Sequence, residues 1–340
     1  MCYPFRRKHG KHQAVKRRDF ITLVSGAAAW PLAARAQQPG KLPRIGVLVS
    51  SSPPHPFADA FRRGLRSFGY TEGKNITIEF LYTGTRGDRA MEFAAELVRS
   101  GVDIIVAHFT PAARAAIAAT RTIPIVMAPA GAPLQQGLID SLARPSGNVT
   151  GLSSMDAEIG GKRLQLLREL MPNLVCVAVL AATPATDGGY GKIFVEDLHM
   201  AAKKAGLELV PALVDGPNEF ERAFEAMSEA RAQAVIIQGL FEPQGSMTFI
   251  ELANKHRLAL MSGVRETVAG GGLVSMSSNY LQLYERAAFY VDNILRGAKP
   301  ADLPVEQPTN FQTVLNMKTA QALGLTISPT LLAQTDEVIE

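Results

Sequence analysis

The chain has 340 residues, too many for one compact core, and its 47% hydrophobic and 19% charged residues are typical of soluble globular proteins. The formal net charge of +4 comes from residues 1–36, which hold eight of the 35 basic side chains and one of the 31 acidic ones. The remaining residues carry 27 basic and 30 acidic side chains, so they lack the cationic excess that nucleic-acid binding requires. Cys176 is the one cysteine beyond residue 36, and the sequence therefore predicts no internal disulfide and no cysteine metal site.

The first 36 residues have the parts of an export signal. Arg17 and Arg18 precede an apolar stretch of about 15 residues, and a small-x-small cleavage site ends at Ala36. We expect cleavage near Ala36/Gln37 and export to the periplasm, by the twin-arginine route that the arginine pair favours or by the general secretory route if the pair is incidental. No cysteine follows the apolar stretch, which argues against a lipid anchor, and residues 1–14 suggest an over-extended translation start.

Short apolar runs alternate with amphipathic stretches through the first half of the remaining chain. The runs predict strands, and the helical spacing of apolar residues in the stretches predicts helices. The predicted strands are residues 45–49, 75–81, 103–107, 123–127 and 149–152, and the predicted helices are residues 57–68, 89–100 and 111–120.

The same alternation then repeats. The second set of predicted helices is residues 160–171, 192–205, 219–231 and 245–256, and the second set of strands is residues 175–180, 207–213, 234–238 and 258–261. Alternating strands and helices with near-continuous apolar strands are typical of parallel sheets that are covered on both faces. The sequence therefore predicts an α/β fold with two doubly wound parallel-sheet lobes.

The C-terminal part has too few elements for a core of its own. It contains predicted strands at 272–276 and 311–315 and a helix at 281–295, and we expect these to return to the two lobes. One lobe is then residues 41–152 plus about 276–305, and the other is residues 153–275 plus about 306–340. Several crossings between the lobes would form a multi-strand hinge beside a cleft.

Ligands of open parallel sheets bind beyond the carboxyl ends of the strands, and those ends give the candidate binding residues. Several of these loops lead directly into helices, whose free backbone N–H groups favour a carboxylate as the guest. The candidates at the strand ends are Ser51, Ser52, His108, Phe109, Thr110, Pro129, Ala130, Tyr190, Phe241, Glu242 and Ser262.

Each of these side chains has a structural alternative to a ligand contact. Thr110 is placed as the N-cap of a helix, or it shares a ligand oxygen. Glu242 pairs with a ligand amine, or it stabilises the first turn of a helix. Phe109, Tyr190 and Phe241 stack on a ligand or belong to the core. His108 has no nucleophile or metal partner in the sequence pattern, so packing is favoured over catalysis.

The sequence lacks the common signatures of catalysis. It has no G-x-S-x-G, no P-loop, no H-E-x-x-H and no C-x-x-C, and no G-x-G-x-x-G opens its first strand-to-helix turn. We therefore expect no enzymatic activity, no cofactor and no metal. A binding protein is the leading hypothesis, and the alternatives are a ligand-sensing receptor-partner protein of the same fold and, as the weakest, a Rossmann-type enzyme.

Beyond residue 43 the chain resembles a known family. The segments that carry the resemblance are residues 57–65 (FADAFRRGL), 142–152 (LARPSGNVTGL), 161–167 (GKRLQLL), 301–309 (ADLPVEQPT) and 322–327 (ALGLTI). They are similar to the ABC-transporter substrate-binding proteins of the periplasmic type I fold, in the group that includes tryptophan-binding members. The resemblance implies a hinged monomer that delivers a small molecule to an ABC permease and its ATPase.

The chain also departs from the pattern of that family in the loops that face the cleft. An acidic residue is common near Ala132, a Trp-Asn-Pro-like stretch is common at residues 181–184, and aromatic residues are common near Ser262 and Met276. The resemblance thus adds Met276 to the candidate binding residues. These departures argue against an aromatic amino acid as the ligand.

Overall fold

The structure, a computed structural model, describes residues 42–50, 53, 56–84, 87–145 and 147–340. The predicted export signal and the candidates Ser51 and Ser52 lie outside the described residues. Residues 42–340 make up one compact unit by their internal contacts.

The first lobe is a parallel sheet with the strand order β2-β1-β3-β4-β5. Its strands are nearly all apolar because both faces are covered by helices. The strands are β1 (Arg44–Val49), β2 (Thr77–Tyr82), β3 (Ile104–His108), β4 (Ile125–Ala130) and β5 (Val149–Ser153), and the helices between them are α1 (Pro56–Ser67), α2 (Gly87–Ser100) and α3 (Phe109–Ala119).

The second lobe is a mostly parallel sheet with the strand order β12-β11-β10-β9-β8-β6-β7. Its strands are β6 (Cys176–Ala182), β7 (Glu208–Val214), β8 (Ala234–Ile237), β9 (Ala259–Ser262), β10 (Val274–Ser278), β11 (Phe311–Asn316) and β12 (Glu337–Ile339). Its helices are α4 (Gly160–Leu170), α5 (Pro184–Asp187), α6 (Tyr190–Ala205), α7 (Phe220–Glu229), α8 (Glu242–His256), α9 (Arg265–Ala269), α11 (Met317–Ala322) and α12 (Pro329–Gln334).

The long helix α10 (Tyr280–Leu295) leaves the second sheet and packs on the first lobe. Its buried residues, among them Tyr284 and Val291, join the same apolar cluster as Phe61 of α1 and alternate residues of β1. A second cluster, with Leu97 of α2, covers the opposite face of that sheet. Because the apolar residues of α10 fit this face, the chain crosses to the first lobe after β10 and must cross back before β11.

Three crossings therefore connect the lobes: residues 154–159, residue 279 and the segment before β11. Backbone hydrogen bonds attach the segment before β11 to the end of β5, where the first crossing begins, from Ser153 N to Glu306 O (2.9 Å) and from Glu306 N to Gly151 O (3.0 Å). The crossing at residue 279 is attached by the hydroxyl of Ser278, which donates to Ser154 O over 2.7 Å. The crossings form a hinge beside the carboxyl ends of the strands.

The two-lobed parallel α/β fold is confirmed, with one departure from parallel order. Strand β11 runs antiparallel to β10. The reason is the path of the chain: β10 runs toward the hinge, whereas β11 enters the second lobe from the hinge and runs away from it. The predicted elements were also incomplete, because α5, α9, α11, α12 and β12 are too short to show a hydrophobic period.

Four helices, α2, α3, α6 and α8, begin two or three residues before their predicted starts, and two of these differences affect candidate residues. Helix α3 begins at Phe109 rather than at residue 111, so Thr110 is a residue of the first turn and not the N-cap; His108 holds that position without a side-chain cap. Helix α8 begins at Glu242 rather than at residue 245. In the described part of the chain, no helix is both long and apolar enough to cross a membrane.

Candidate functional site

A cavity lies between the two lobes at the carboxyl ends of their strands. The first lobe lines it with Phe109, Thr110, Pro111 and Gly131, and the hinge contributes Ser154 and Asp156. The second lobe lines it with Asp187, Tyr190, Gln238, Gly239 and Leu240. The enclosed space between these walls is about 20 Å³, roughly enough for one water molecule. A small-molecule ligand therefore requires the walls to separate.

Phe109 stands at the first-lobe side of the cavity in a strained backbone conformation. Its φ of 63° is in the left-handed region that side chains other than glycine rarely adopt. The ring packs edge-on against Tyr280 of α10, with 5.8 Å between ring centroids, and it also contacts the apolar cluster of the second lobe. Backbone strain of this kind persists where surrounding structure fixes the residue, and it concentrates at binding sites.

An aromatic group lies behind Phe109. The rings of Phe57 and Tyr284 stack with their centroids 4.8 Å apart, and the His108 ring lies 5.4 Å from Tyr284 and 3.9 Å from Phe109. His108 is fully buried. These rings hold the strained start of α3 against α10.

Thr110 fixes the loop that follows β4. Its Oγ1 accepts a hydrogen bond from Gly131 N (3.1 Å) and donates one to Gly131 O (3.3 Å). The ring of Tyr190, from the second lobe, lies directly over Gly131. A Cβ atom at residue 131 would be 2.4 Å from Tyr190 Cζ, so glycine is what allows the two lobes to approach here.

Asp187 organises the second-lobe wall. Its Oδ1 accepts from Gly189 N (2.9 Å), and its Oδ2 accepts from Gly191 N (2.5 Å) and from Gln238 Nε2 (2.8 Å). Gln238 Oε1 in turn accepts from Ala182 N over 2.6 Å. The carboxylate is only 1% exposed, and burial raises the pKa of Asp187 although these hydrogen bonds oppose the shift.

A buried ion pair closes the hinge side of the cavity. Arg163 of α4 donates through Nη2 to Asp156 Oδ1 (2.9 Å), through Nη1 to Asp156 O (3.1 Å) and through Nε to Met276 O (2.9 Å). The hydroxyl of Tyr280 donates to the other carboxylate oxygen of Asp156. Burial and the negative charge of Asp156 raise the pKa of Tyr280 well above its usual range. One aspartate thus joins helices of both lobes.

Glu242 lies in the second lobe but does not line the cavity. It accepts hydrogen bonds from Gly263 N (3.0 Å) and Thr267 Oγ1 (2.8 Å). Burial raises its pKa from 4.5 to about 7, although the hydrogen bonds and the charge of Arg163 oppose the shift. Its contacts are those of a structural residue at the start of α8.

The remaining predicted candidates have varied positions. Phe109, Thr110 and Tyr190 line the cavity, and His108 lies beside it. Pro129 and Ala130 are buried in β4, Phe241 is buried in the core against Phe220, Ser262 bonds to the backbone of Val264, and Met276 offers its carbonyl to Arg163. Within the described residues, no group of three His, Cys, Asp or Glu side chains is arranged to hold a metal ion.

The sequence analysis did not include Asp156, Asp187 and Gln238 among the candidates, although all three line the cavity. Asp187 stands before Gly188 and Gly189 in the loop after an apolar strand, and a carboxylate followed by two glycines there is a readable signal for a helix N-terminus anchored by an acid. Gln238 is the first polar residue after β8, but the sequence pattern predicts it as the last residue of that strand. Asp156 had no signal, because its partner Tyr280 is distant in the sequence and no local pattern marks its pairing with Arg163, seven residues away.

Comparisons with known proteins agree with this architecture. The family model described as ABC transporter substrate binding protein matches residues 45–339. A tyrosine-binding protein of Clostridioides difficile (strain R20291) is 29% identical over 290 residues, which cover 82% of this chain and 80% of that protein. Two solved structures are each 28% identical to this chain with a TM-score of 0.80, and each match covers 88% of this chain and 100% of the other chain. One is an ABC domain from Streptococcus pneumonia in complex with L-Trp, and the other is a conserved domain protein from Vibrio cholerae.

Proposed function

We propose that this protein is the solute-capturing component of an ABC import system, on the premise that the chain belongs to the family of ABC transporter substrate-binding proteins. The observation that carries the proposal is the cavity, whose walls come from both lobes and from the hinge. Such a site is complete only when the lobes are close together. A ligand that contacts both walls therefore favours the closed state by its differential affinity.

The substrate class that we propose is an amino acid or another small carboxylate. Helix α3 presents its first turn to the cavity and receives no side-chain cap, so its N–H groups and positive dipole end favour a negatively charged group. The C. difficile relative is named for tyrosine and the S. pneumonia structure contains L-Trp, which supports amino acids as the first compounds to test.

We further propose the cellular setting from the sequence. The arginine pair and the apolar stretch before residue 37 support export to the periplasm, with the twin-arginine route as the favoured one. There the loaded monomer would dock on an ABC permease whose ATPase drives uptake. The protein's own part is to bind, enclose and deliver, with no chemical step.

Thermal unfolding of the purified chain against a panel of amino acids, carboxylates, nucleosides and sugars tests the proposal. Binding to the native state alone raises the free energy of unfolding by mass action, by about 2.7 kcal/mol at 100 times Kd. We expect a saturable rise in Tm with amino acids or carboxylates.

A Thr110→Val variant keeps the side-chain shape but removes both hydrogen bonds to Gly131, and it should reduce the ligand-dependent shift. The matched control is Thr248→Val, on an exposed face of α8, which should keep the shift of the unmodified protein. A panel without any saturable shift, or equal shifts in the Thr110→Val variant, would contradict capture in this cavity.

A further inference from the structure

We propose that Arg114 of α3 opposes closure of the empty protein, so that the two lobes stay apart until a ligand draws them together. The inference rests on the proposed function, because it concerns the lobe movement that admits a ligand. It goes beyond that function by assigning a residue that sets the balance between open and closed states. Arg114 lies beside the cavity and does not line it.

The two lobes meet at two glycines, one from each side. Gly131 of the first lobe receives the ring of Tyr190 from the second lobe. Gly188 of the second lobe receives the side chain of Arg114 from the first lobe, and a Cβ atom at residue 188 would be 2.6 Å from Arg114 Nε and 3.0 Å from Cδ. Gly188 ends α5, which contacts α2 and α3 of the first lobe. The opposite lobe therefore covers Arg114 only when the lobes are together.

This contact leaves part of the guanidinium group unpaired. Arg114 Nη2 donates to the side-chain oxygen of Gln136, in the loop after β4, and to its backbone oxygen over 3.4 Å. Arg114 Nε is buried and has no acceptor among the described residues, and the same is true of Gln136 Nε2. A buried donor without an acceptor disfavours the state that buries it by a factor of about 5 to 150. When the lobes separate, water reaches Arg114 Nε and this penalty disappears.

A structural role within the first lobe does not explain the unpaired Nε–H. The Nη2 atom alone bonds to Gln136, and those bonds do not involve Nε. The second lobe offers no compensation either, because Asp187, next to Gly188, directs its carboxylate to Gly189 N, Gly191 N and Gln238 Nε2. Arg114 Nε thus gains no hydrogen bond from closure.

The consequence is a bias toward the open state. A ligand that contacts both walls must offset the penalty at Arg114 before the closed state is populated. Its apparent affinity is therefore reduced by the small fraction of empty protein that is already closed. A permease that recognises closed lobes then meets few empty molecules in that state.

Arg114→Lys tests the inference, because lysine keeps the positive charge and places an apolar methylene group where Nε lies. Double electron–electron resonance between spin labels at Glu92→Cys on α2 and Lys192→Cys on α6, both exposed, reports the distance between the lobes. Without ligand, we expect Arg114→Lys to raise the ratio of closed to open molecules by about 5- to 150-fold relative to the protein with the labels alone. Arg114→Met, which also removes the charge, should raise the ratio to a similar extent.

The control is Arg121→Lys, the same substitution at an exposed position just after α3, which should leave the ratio unchanged. Titration calorimetry with L-leucine, L-glutamate and L-tyrosine gives a second measurement. Arg114→Lys should tighten whichever of them binds by the same factor as the ratio, because the binding-competent fraction rises by that factor.

A ratio in Arg114→Lys that is unchanged or lower would overturn the inference, whatever the titrations show. Weaker binding in Arg114→Lys would also overturn it, since Arg114 would then contribute to ligand binding and not oppose closure. A raised ratio together with no binding of the three amino acids would support the inference and count against the proposed substrate class.

Discussion

Gly131→Ala should disable closure without disturbing the fold of either lobe. Gly131 does not have a positive φ, so its backbone accepts alanine. The added Cβ would lie 2.4 Å from Tyr190 Cζ and 2.5 Å from Cε2, whereas carbon atoms in contact are about 3.5–4.0 Å apart. The Tyr190 ring must then retreat by roughly 1 Å. Overpacking of this size costs about 1–3 kcal/mol, and the cost applies only when the lobes are closed.

Because ligand binding selects the closed state, the same free energy appears as a loss of affinity of about 5- to 150-fold. Titration calorimetry measures the affinity, and thermal unfolding without ligand should show a Tm change within about 2 °C, since the open state avoids the contact. Gly216→Ala is the control, because a Cβ at residue 216 meets open space.

A double-mutant cycle with Tyr190→Ala tests whether the loss of affinity comes from contact between residue 131 and the Tyr190 ring. With the ring removed, Gly131→Ala should have little further effect on affinity, which gives a coupling of about 1–3 kcal/mol between the two positions. Unchanged affinity in Gly131→Ala alone, or an equal loss in the background of Tyr190→Ala, would show that the lobes do not meet at this contact during binding.

The remaining predictions concern the buried charges. Arg163→Ala leaves Asp156 buried without its partner, so urea unfolding should show that the free energy of unfolding falls by about 3–5 kcal/mol. The control is Arg265→Ala, which removes an exposed ion pair with Glu337 and should lower the free energy of unfolding by about 1 kcal/mol or less. Similar losses in the two variants would contradict the argument that burial makes the Arg163–Asp156 pair costly to break. The pKa of Glu242 is raised from 4.5 to about 7, so the folded state binds more protons than the unfolded state between these pH values. The stability that this group contributes is therefore fully present below pH 4.5 and is lost as the pH rises to 7. The unfolding free energy of Glu242→Gln relative to the unmodified protein should therefore rise by roughly 3 kcal/mol across that interval, and a difference that is flat with pH would refute the assignment.

The hydrophobic pattern was sufficient for the two lobes. Apolar runs such as residues 45–49 and 175–180 predicted strands whose ends lie within two residues of the observed ones. Both faces of each sheet are covered, so the local pattern and tertiary burial agree. The same pattern does not predict α5 or α9, because helices of 4 and 5 residues are too short to show a hydrophobic period. The antiparallel β11 follows from the hinge crossing, a long-range feature that no local period encodes.

The site was predictable only in outline. The rule that ligands bind at strand ends predicted the loops that contain Phe109, Thr110 and Tyr190, and these residues line the cavity. The same rule predicted Glu242, which does not line the cavity. Whether a helix residue faces the cavity depends on where the helix starts, and α8 starts three residues earlier than its pattern suggests. Asp156 was not predicted for a different reason: its role depends on Tyr280, which comes from a distant part of the chain and meets Asp156 only at the hinge.

Amide hydrogen exchange with and without the tightest ligand of the panel tests most directly whether the two lobes close on a small molecule. We predict that saturating ligand slows exchange on both walls of the cavity, at residues 109–113 and 131 in the first lobe and at residues 187–191 in the second. Protection confined to one lobe, or at the outer helices and not at these segments, would contradict capture between the lobes.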